Sequence, residues 1–518
     1  MKVRTEVVLE GIGAALLLLF PYFLPLLLGS NITLYHHQPP ITNLLGGALV
    51  DLLGLSILAM GFLVAVPSLP RSLQRTLNAL FTGLMLWRMV DIAVQMQTNL
   101  TITAYWNGLR EQFFLAILLL SGVLAFFLPR IMQPVVRAVG LVIASFALCT
   151  IWIVPQLLHL MLIRRSGESA ASIHLPPPPH STSSRRIIWI LFDELSYDQA
   201  FDHPAPGIKL PNLDRLRTES VSFSNLTPAG FSTDHIIPSL FLGRRIDQFR
   251  SAIDGDLSYY DESHHRWLAY DPNATLFGLA QQNGWSTGVD GSYIPYCRTL
   301  APVLNVCSWE RSQTVLLEPY GASEEKSVLA NAFVLPYAVL VRMTNTRAIP
   351  ENASLQEFRH VMGRTHALIE DDQVRFVFLH LPVPHPPGIY DRQRHMLRPG
   401  GTYLDNLVLA DDSLGTLLQE IAATPSADQT TVVLSSDHSW RIPIWRHNRF
   451  WSGEEERASG GRFDDRPVLM IHFPGQKSGN EMNAALSEML EHDMIAEMLR
   501  GRINNPADLS NFLSQPGR

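Results

Sequence analysis

The chain is poor in cysteine and has no basic stripe. Three cysteines in 518 residues are too few for a disulfide scaffold or a clustered structural zinc site. The formal net charge is -7, and Lys and Arg do not gather along any one stretch, which removes the electrostatic footprint of a nucleic-acid binder. Acidic residues are nearly absent from the first third. Basic residues are missing from the segments near 30–45 and 98–109.

The first third is strongly apolar. Five stretches, approximately 8–28, 46–67, 76–97, 110–129 and 138–161, reach the roughly 20 residues needed to span a bilayer. The first lacks a small-residue cleavage site, so it reads as a span and not as a signal peptide. Lys2 and Arg4 precede it, Arg71 and Arg75 follow the second, and Arg130 and Arg137 lie between the fourth and fifth. Positive residues favour the cytoplasmic side, so the expected protein is a multi-pass plasma (inner) membrane protein with its N-terminus cytoplasmic. Everything after residue 162 then lies outside, in the periplasm or beyond. Arg88 and Asp91 fall within one span, one helical turn apart. They read either as an ion pair between helices or as a polar groove for a lipid headgroup.

Residues 163–185 are rich in Ser and Pro, with Pro176 to Pro179 consecutive, and are expected to form an extended spacer. The expected division is therefore a transmembrane domain at 1–162, a linker at 163–185 and a large soluble domain at 186–518. Cys297 and Cys307 lie close together in this exported part and are expected to pair.

The soluble part reads as α/β. "IIWILF" (187–192), "FVFLHL" (376–381) and "TVVL" (431–434) are buried-type strands. Amphipathic helical patterns lie between them, which implies a mostly parallel sheet covered on both faces. Ligands bind beyond the carboxyl ends of such strands. Asp193, Glu194, His385, Asp437 and His438 would gather at that edge.

With these pieces in place, residues 187–475 resemble the alkaline phosphatase superfamily in its sulfatase-like branch. Within it the pattern is similar to the membrane-anchored phosphoethanolamine and lipoteichoic-acid-type phosphoglycerol transferases. The resemblance runs through "IIWILFDELSYD", "LPNLDRLRTESVSFSN", "STDHIIPSLFLGRR", "TLFGLAQQNGWSTG", "LHLPVPHPPGIY", "YLDNLVLADDSLGTLL" and "VVLSSDHSW", in the family's order. It implies an alkaline-phosphatase-like fold and a divalent metal, zinc or manganese. The metal would be held by a carboxylate after the first strand, by the pair Asp437 and His438, and by the hydroxyl of the nucleophile. Glu194 matches the carboxylate of the phosphoethanolamine transferases; Asp193 is the alternative, because sulfatases use an Asp there.

The nucleophilic Thr of those transferases stands five residues before a Pro, which here gives Thr233 before Pro238, with Ser232 and Thr227 as neighbouring substitutes. The sulfatase pattern would need a Cys or Ser and an Arg where Ile236 and Leu240 stand. His385 matches the family's phosphoryl-binding or leaving-group His, and His447 stands near a further substrate or second-metal His. His380 reads as a core residue, and His36, His37, His264 and His265 as solvated loop residues. Two departures are visible: Ser439 replaces the Gly of the usual Asp-His-Gly, and there are fewer cysteines than in the multiply bridged transferases.

The implied activity is transfer of a phosphate-linked headgroup, from a membrane lipid donor to an envelope glycan or lipid acceptor, through a covalent Thr intermediate. The same site could instead hydrolyse phosphodiesters or sulfate esters. A third possibility is a non-catalytic membrane protein that retains the fold.

Overall fold

The computed structural model describes residues 4–27, 42–95, 100–162, 172–174, 184–251, 257–262, 264–310, 326–334, 351–448 and 450–515. The N-terminal part is a helical bundle: α1 (Thr5–Leu27), α2 (Thr42–Ala65), α3 (Arg71–Gln95), α4 (Leu100–Phe127), α5 (Pro129–Phe146) and α6 (Thr150–Leu162). Among the described residues four helical segments are long and apolar enough to cross a membrane: Thr42–Ser68, Arg71–Val94, Leu109–Phe127 and Pro129–His159.

The expected count of five is thus corrected to four. Helix α1 coincides with the first expected span, but its described side chains stop at Phe20, and the other helices enclose it. Ala14, Ala15, Leu16, Leu17 and Leu19 are all buried. A Cβ on Gly13 would lie 1.8 Å from the Ile143 carbonyl oxygen, so only glycine permits this approach of α1 to α5. The outer helices turn large apolar side chains outward: Leu58, Leu119, Phe126 and Leu141 are 69–79% exposed. A surface of that kind calls for lipid or another apolar cover.

Arg88 and Asp91 form the internal pair. The Asp91 carboxylate accepts hydrogen bonds from Arg88, from Arg110 Nη2 at 2.6 Å and from Trp106 Nε1 at 3.0 Å. Arg88 Nε also donates to the Leu17 carbonyl at 2.9 Å. One carboxylate therefore joins α1, α3 and α4.

The soluble part is built on a nine-stranded sheet. In chain order its strands are β1 (Ser172–His174), β2 (Arg186–Asp193), β3 (Val221–Phe223), β4 (Thr287–Ser292), β5 (Val306–Glu310), β6 (Phe376–Pro384), β7 (Thr430–Ser436), β8 (Leu469–His472) and β9 (Asn480–Met482). The spatial order is β1-β5-β4-β6-β2-β7-β8-β3-β9. Strands β5, β4, β6, β2 and β7 are parallel, whereas β1 and β8 run antiparallel to their neighbours. The expected α/β domain with a mostly parallel sheet is present, and its edges are mixed. Strand β1 lies inside the expected spacer, so part of that segment joins the sheet.

Every residue of β2 is buried, as a central parallel strand covered on both faces requires. Ile187, Trp189 and Leu191 face one core layer; Ile188, Ile190 and Phe192 face the other. Each such side chain contributes about 1.5–3 kcal/mol by burial. Two of the sequence motifs hold each other: Asp411 in α10 (Tyr403–Ala423) accepts the backbone N–H groups of Asn212 and Leu213, at 3.1 and 2.7 Å, at the start of α7 (Pro211–Glu219). Cys297 and Cys307 form a disulfide with a Cα–Cα distance of 5.6 Å, as expected.

Two outcomes are expected. Asp91→Asn leaves two buried guanidinium groups without a carboxylate, so it should cost about 3–5 kcal/mol, read as a lower thermal midpoint of the purified chain. An unchanged midpoint would show that the pair is dispensable. Alkylation of the denatured, unreduced chain should label Cys149 alone, with Cys297 and Cys307 labelled only after reduction; labelling of all three without reductant would rule out the bridge.

Candidate active site

The carboxyl ends of β2, β6 and β7 deliver the candidate residues to one edge of the sheet. Strand β2 ends in Asp193 and Glu194, and β7 runs directly into Asp437 and His438. Helix α8 (Thr233–Leu242) brings its first residue, Thr233, to the same place.

The Thr233 hydroxyl donates to Asp437 Oδ2 at 2.6 Å and lies 3.3 Å from His438 Nε2. His438 Nε2 is 3.2 Å from Asp437 Oδ2 and 3.7 Å from Asp193 Oδ1. His438 Nδ1 lies 3.0 Å from the Ser439 carbonyl; a carbonyl only accepts, so Nδ1 carries the hydrogen and Nε2 presents its lone pair to the cluster. The Gly-to-Ser departure is accommodated, because Ser439 Oγ donates to Ser196 Oγ at 2.9 Å.

Asp193 stands with the pair, and Glu194, placed first by the resemblance, does not. Glu194 has a φ of 67°, a left-handed backbone that turns its side chain away from the sheet edge. Its carboxylate is bound by Arg441 Nε and by Trp445 Nε1, the latter at 3.0 and 2.8 Å. The physical reason is charge. Arg441, almost fully enclosed, needs a carboxylate, and Glu194 supplies it. Strained backbone of this kind persists where its surroundings fix it, often at functional sites. Tyr293, with a φ of 68°, is a second such residue, and its hydroxyl donates to Asp234 Oδ2 at 3.0 Å.

Among the described residues Asp193, Asp437 and His438 are the group whose ligand atoms all lie within 4.8 Å of one another. Asp193 Oδ1 is buried with no hydrogen-bond partner among the described residues. Burial, together with the charges of Asp437 and Glu194, pushes the Asp193 carboxyl well above the usual range. Burial would raise Glu194 as well, but Arg441, His385 and His438 outweigh it and hold that carboxyl low. Burial and Arg441 push His438 down to about 3. Three buried carboxyl groups thus share one guanidinium, with a neutral imidazole among them. An orphaned carboxylate oxygen beside a second carboxylate and an imidazole lone pair fits a divalent cation of the zinc or manganese type.

His385 follows β6. Its backbone N–H donates to the Asp193 carbonyl at 3.1 Å, and its ring stands edge-on to Trp445 with centroids 5.1 Å apart. Asn406 of α10 fixes this loop, donating to the His385 carbonyl at 3.0 Å and accepting from the Ile389 N–H at 2.8 Å. Burial lowers the His385 pKa, opposed by the Glu194 charge. His447 lies past α11 (Ile442–Trp445) and is not one of the clustered ligands. His380 is a core residue: it is fully buried, with Nδ1 2.8 Å from the Tyr296 hydroxyl. Ser232 Oγ pairs with His235 Nδ1 at 2.7 Å and Thr227 is exposed, so neither neighbour replaces Thr233. His264 is an exposed partner of Asp261; His36 and His37 lie outside the described residues.

Arg441, Trp445, Tyr293 and Asn406 were not singled out from the sequence. The signal for Arg441 was its position three residues after His438 in "DHSWR", a cation beside a surplus of carboxylates.

Asp193→Asn and Asp437→Asn should each lower the zinc or manganese content of the purified protein, measured by elemental mass spectrometry. Glu194→Gln should leave metal content near that of the unaltered chain but lower the thermal midpoint, because Arg441 loses its directly bonded carboxylate. Metal loss in Glu194→Gln equal to that in Asp193→Asn would make Glu194 a ligand after all.

The sulfatase family's profile matches residues 185–500, well over half of the chain. Among curated proteins no sequence matches. Similar solved structures include the PsFucS1 sulfatase from Pseudoalteromonas sp., at 13% identity and a TM-score of 0.42, covering 62% of this chain and 68% of that one. The phosphonate monoester hydrolase of Agrobacterium radiobacter is similar at 15% identity and a TM-score of 0.37, covering 61% of this chain and 74% of that one. A protein in the alkaline phosphatase superfamily from Vibrio parahaemolyticus gives 13% identity and a TM-score of 0.36, covering 62% and 68%. On the profile match, the chain belongs to the sulfatase family and is a sulfatase-like enzyme.

Proposed function

We propose that the chain is a membrane-anchored, metal-dependent transferase that moves a phosphate-linked headgroup, of the phosphoethanolamine or phosphoglycerol type, through a covalent ester on Thr233. The observation that carries this reading is the Thr233 hydroxyl, hydrogen-bonded to Asp437 Oδ2 and facing His438 Nε2. The position where a sulfatase would carry its modified Cys or Ser is Ile236, fully buried in the core.

A zinc or manganese ion held by Asp193, Asp437 and His438 would lower the pKa of the nucleophilic hydroxyl and offset charge on the phosphoryl group. In the first step Thr233 Oγ1 forms a bond to phosphorus and the bond to the lipid alcohol breaks. The Thr233 proton already points at Asp437, and the departing alcohol gains a proton. In the second step an acceptor hydroxyl attacks the same phosphorus and Thr233 is restored. The ester sits at the start of α8, where backbone N–H groups and the helix dipole favour an anion. His385, kept neutral by burial, is the imidazole that binds the phosphoryl group in this reading. Arg441 supplies the positive charge on that side and is held in place by Glu194.

The lipid donor is supported by the apolar N-terminal helices beside the catalytic part, where α11 packs on α4 and carries Trp445 next to the site. An extracytoplasmic location is supported by the Cys297–Cys307 bridge. The acceptor would be an envelope glycan or lipid. The sulfatase family match favours a second reading, hydrolysis of phosphodiesters or sulfate esters with water as acceptor.

Turnover of an aryl phosphodiester and an aryl sulfate should be compared with zinc or manganese present. Phosphodiester cleavage is expected, lost by at least ~10³-fold in Thr233→Ala, with an aryl phosphate joined through phosphorus to Thr233 trapped on acid quench. Aryl sulfate turnover that survives Thr233→Ala would overturn the Thr233 nucleophile. Product released only as the free headgroup, even with an alcohol acceptor in excess, would select the hydrolase reading.

A further inference from the structure

A cavity of about 410 Å³ opens between α3, α4 and α5 at the end of the bundle away from the catalytic part. The catalytic side is marked by Val328 and Asn331, which rest on Gly46 and Gly47 at the start of α2. The cavity lies beyond the other end of α2, about 36 Å away along a helix of that length. Its polar wall is Arg71, Arg75, Asn78, Arg130 and Gln133, and its floor includes buried Met132.

Three guanidinium groups face this cavity, and among the described residues none has a carboxylate partner. The acids at this end of the bundle are Glu6 and Glu10 on α1, and Glu10 lies against Gly140 of α5, not in the cavity. The residues adjoining the lining in sequence, Phe126, Phe127 and Ile131, are 79%, 70% and 56% exposed. A cationic, amide-lined recess with an apolar floor, on a bundle whose outer surface is apolar, matches an amphiphile with an anionic head. Arginine binds phosphate through two parallel N–H donors, and basic pockets between membrane helices bind the headgroups of anionic lipids. We infer that this recess is a binding site for the phosphate headgroup of an anionic phospholipid, in the leaflet opposite the catalytic part. It is separate from the Thr233 site and does not depend on the reading of that site.

The test is native mass spectrometry of the full chain, released from detergent after exposure to phosphatidylglycerol, phosphatidylcholine or inorganic phosphate. Phosphatidylglycerol should be retained in preference to phosphatidylcholine, and the combined variant R71Q/R75Q/R130Q should bind it about 100-fold more weakly. R71K/R75K/R130K, which keeps the charges, should retain the preference. The thermal midpoint of each variant checks folding, and R130Q alone, with a smaller loss, serves if the combined variant does not fold. Equal retention of the two lipids, or an unaltered preference in a folded neutral variant, overturns the site. Inorganic phosphate bound as tightly as phosphatidylglycerol would overturn the lipid assignment, since the apolar floor would then contribute nothing.

Discussion

The carboxylate of Asp437 holds the catalytic edge together. Its Oδ1 accepts the backbone N–H of Glu194 at 3.1 Å and that of His438 at 2.9 Å, while Oδ2 accepts the Thr233 hydroxyl at 2.6 Å. One side chain thus joins the end of β2, the end of β7 and the start of α8. Charge-assisted bonds of this kind are about twice as strong as neutral ones. They fix the Thr233 hydroxyl against Asp437 and His438 without any further group, the kind of pre-organisation that catalysis by positioning requires.

The same bond to Glu194 N–H helps hold that residue in its left-handed turn. Once the turn is made, successive carboxylates on one short segment point in different directions. Asp193 stays with Asp437 and His438, and Glu194 reaches Arg441 and Trp445. Two adjacent acids therefore take two roles through backbone geometry alone. Glu194 pairs with Arg441, and burial, with the Arg441 charge beside it, holds His438 neutral.

Much of this was legible in the sequence. "IIWILF", "FVFLHL" and "TVVL" read as strands because central parallel strands need uninterrupted apolar runs. Two of those strands run into Asp193, Glu194, Asp437 and His438, which meet at one edge, while Thr233 was reached only through the family resemblance. The order of Asp193 and Glu194 was not legible, since it depends on one backbone angle and residue type does not encode it. Strand β4, "TGVDGS", was missed because its small residues pack under Tyr296 and His380 and show no apolar run; Gly291 lies where a Cβ would be 2.8 Å from both. The short strands β1, β3, β8 and β9 lie towards the sheet's edges, and nothing in their one to three apolar residues announces a partner. The first apolar stretch read as one more span, and its described side chains from Ala14 to Leu17 are enclosed by neighbouring helices. Hydropathy reports transfer out of water and does not distinguish lipid from protein as the destination.

The two buried charge clusters differ in balance, and the difference carries meaning. In the bundle a single carboxylate, Asp91, serves two guanidinium groups and an indole N–H, so its lone pairs are used by the chain itself. At the catalytic edge three carboxyl groups share one guanidinium, and an oxygen of Asp193 is left without a donor among the described residues. Burying an unpaired carboxylate costs several kcal/mol, which a fold tolerates where another group will occupy the space. The first cluster is a structural joint between helices. Among the described residues the second keeps an unpaired carboxylate oxygen within reach of Asp437 and His438, with the Thr233 hydroxyl beside them.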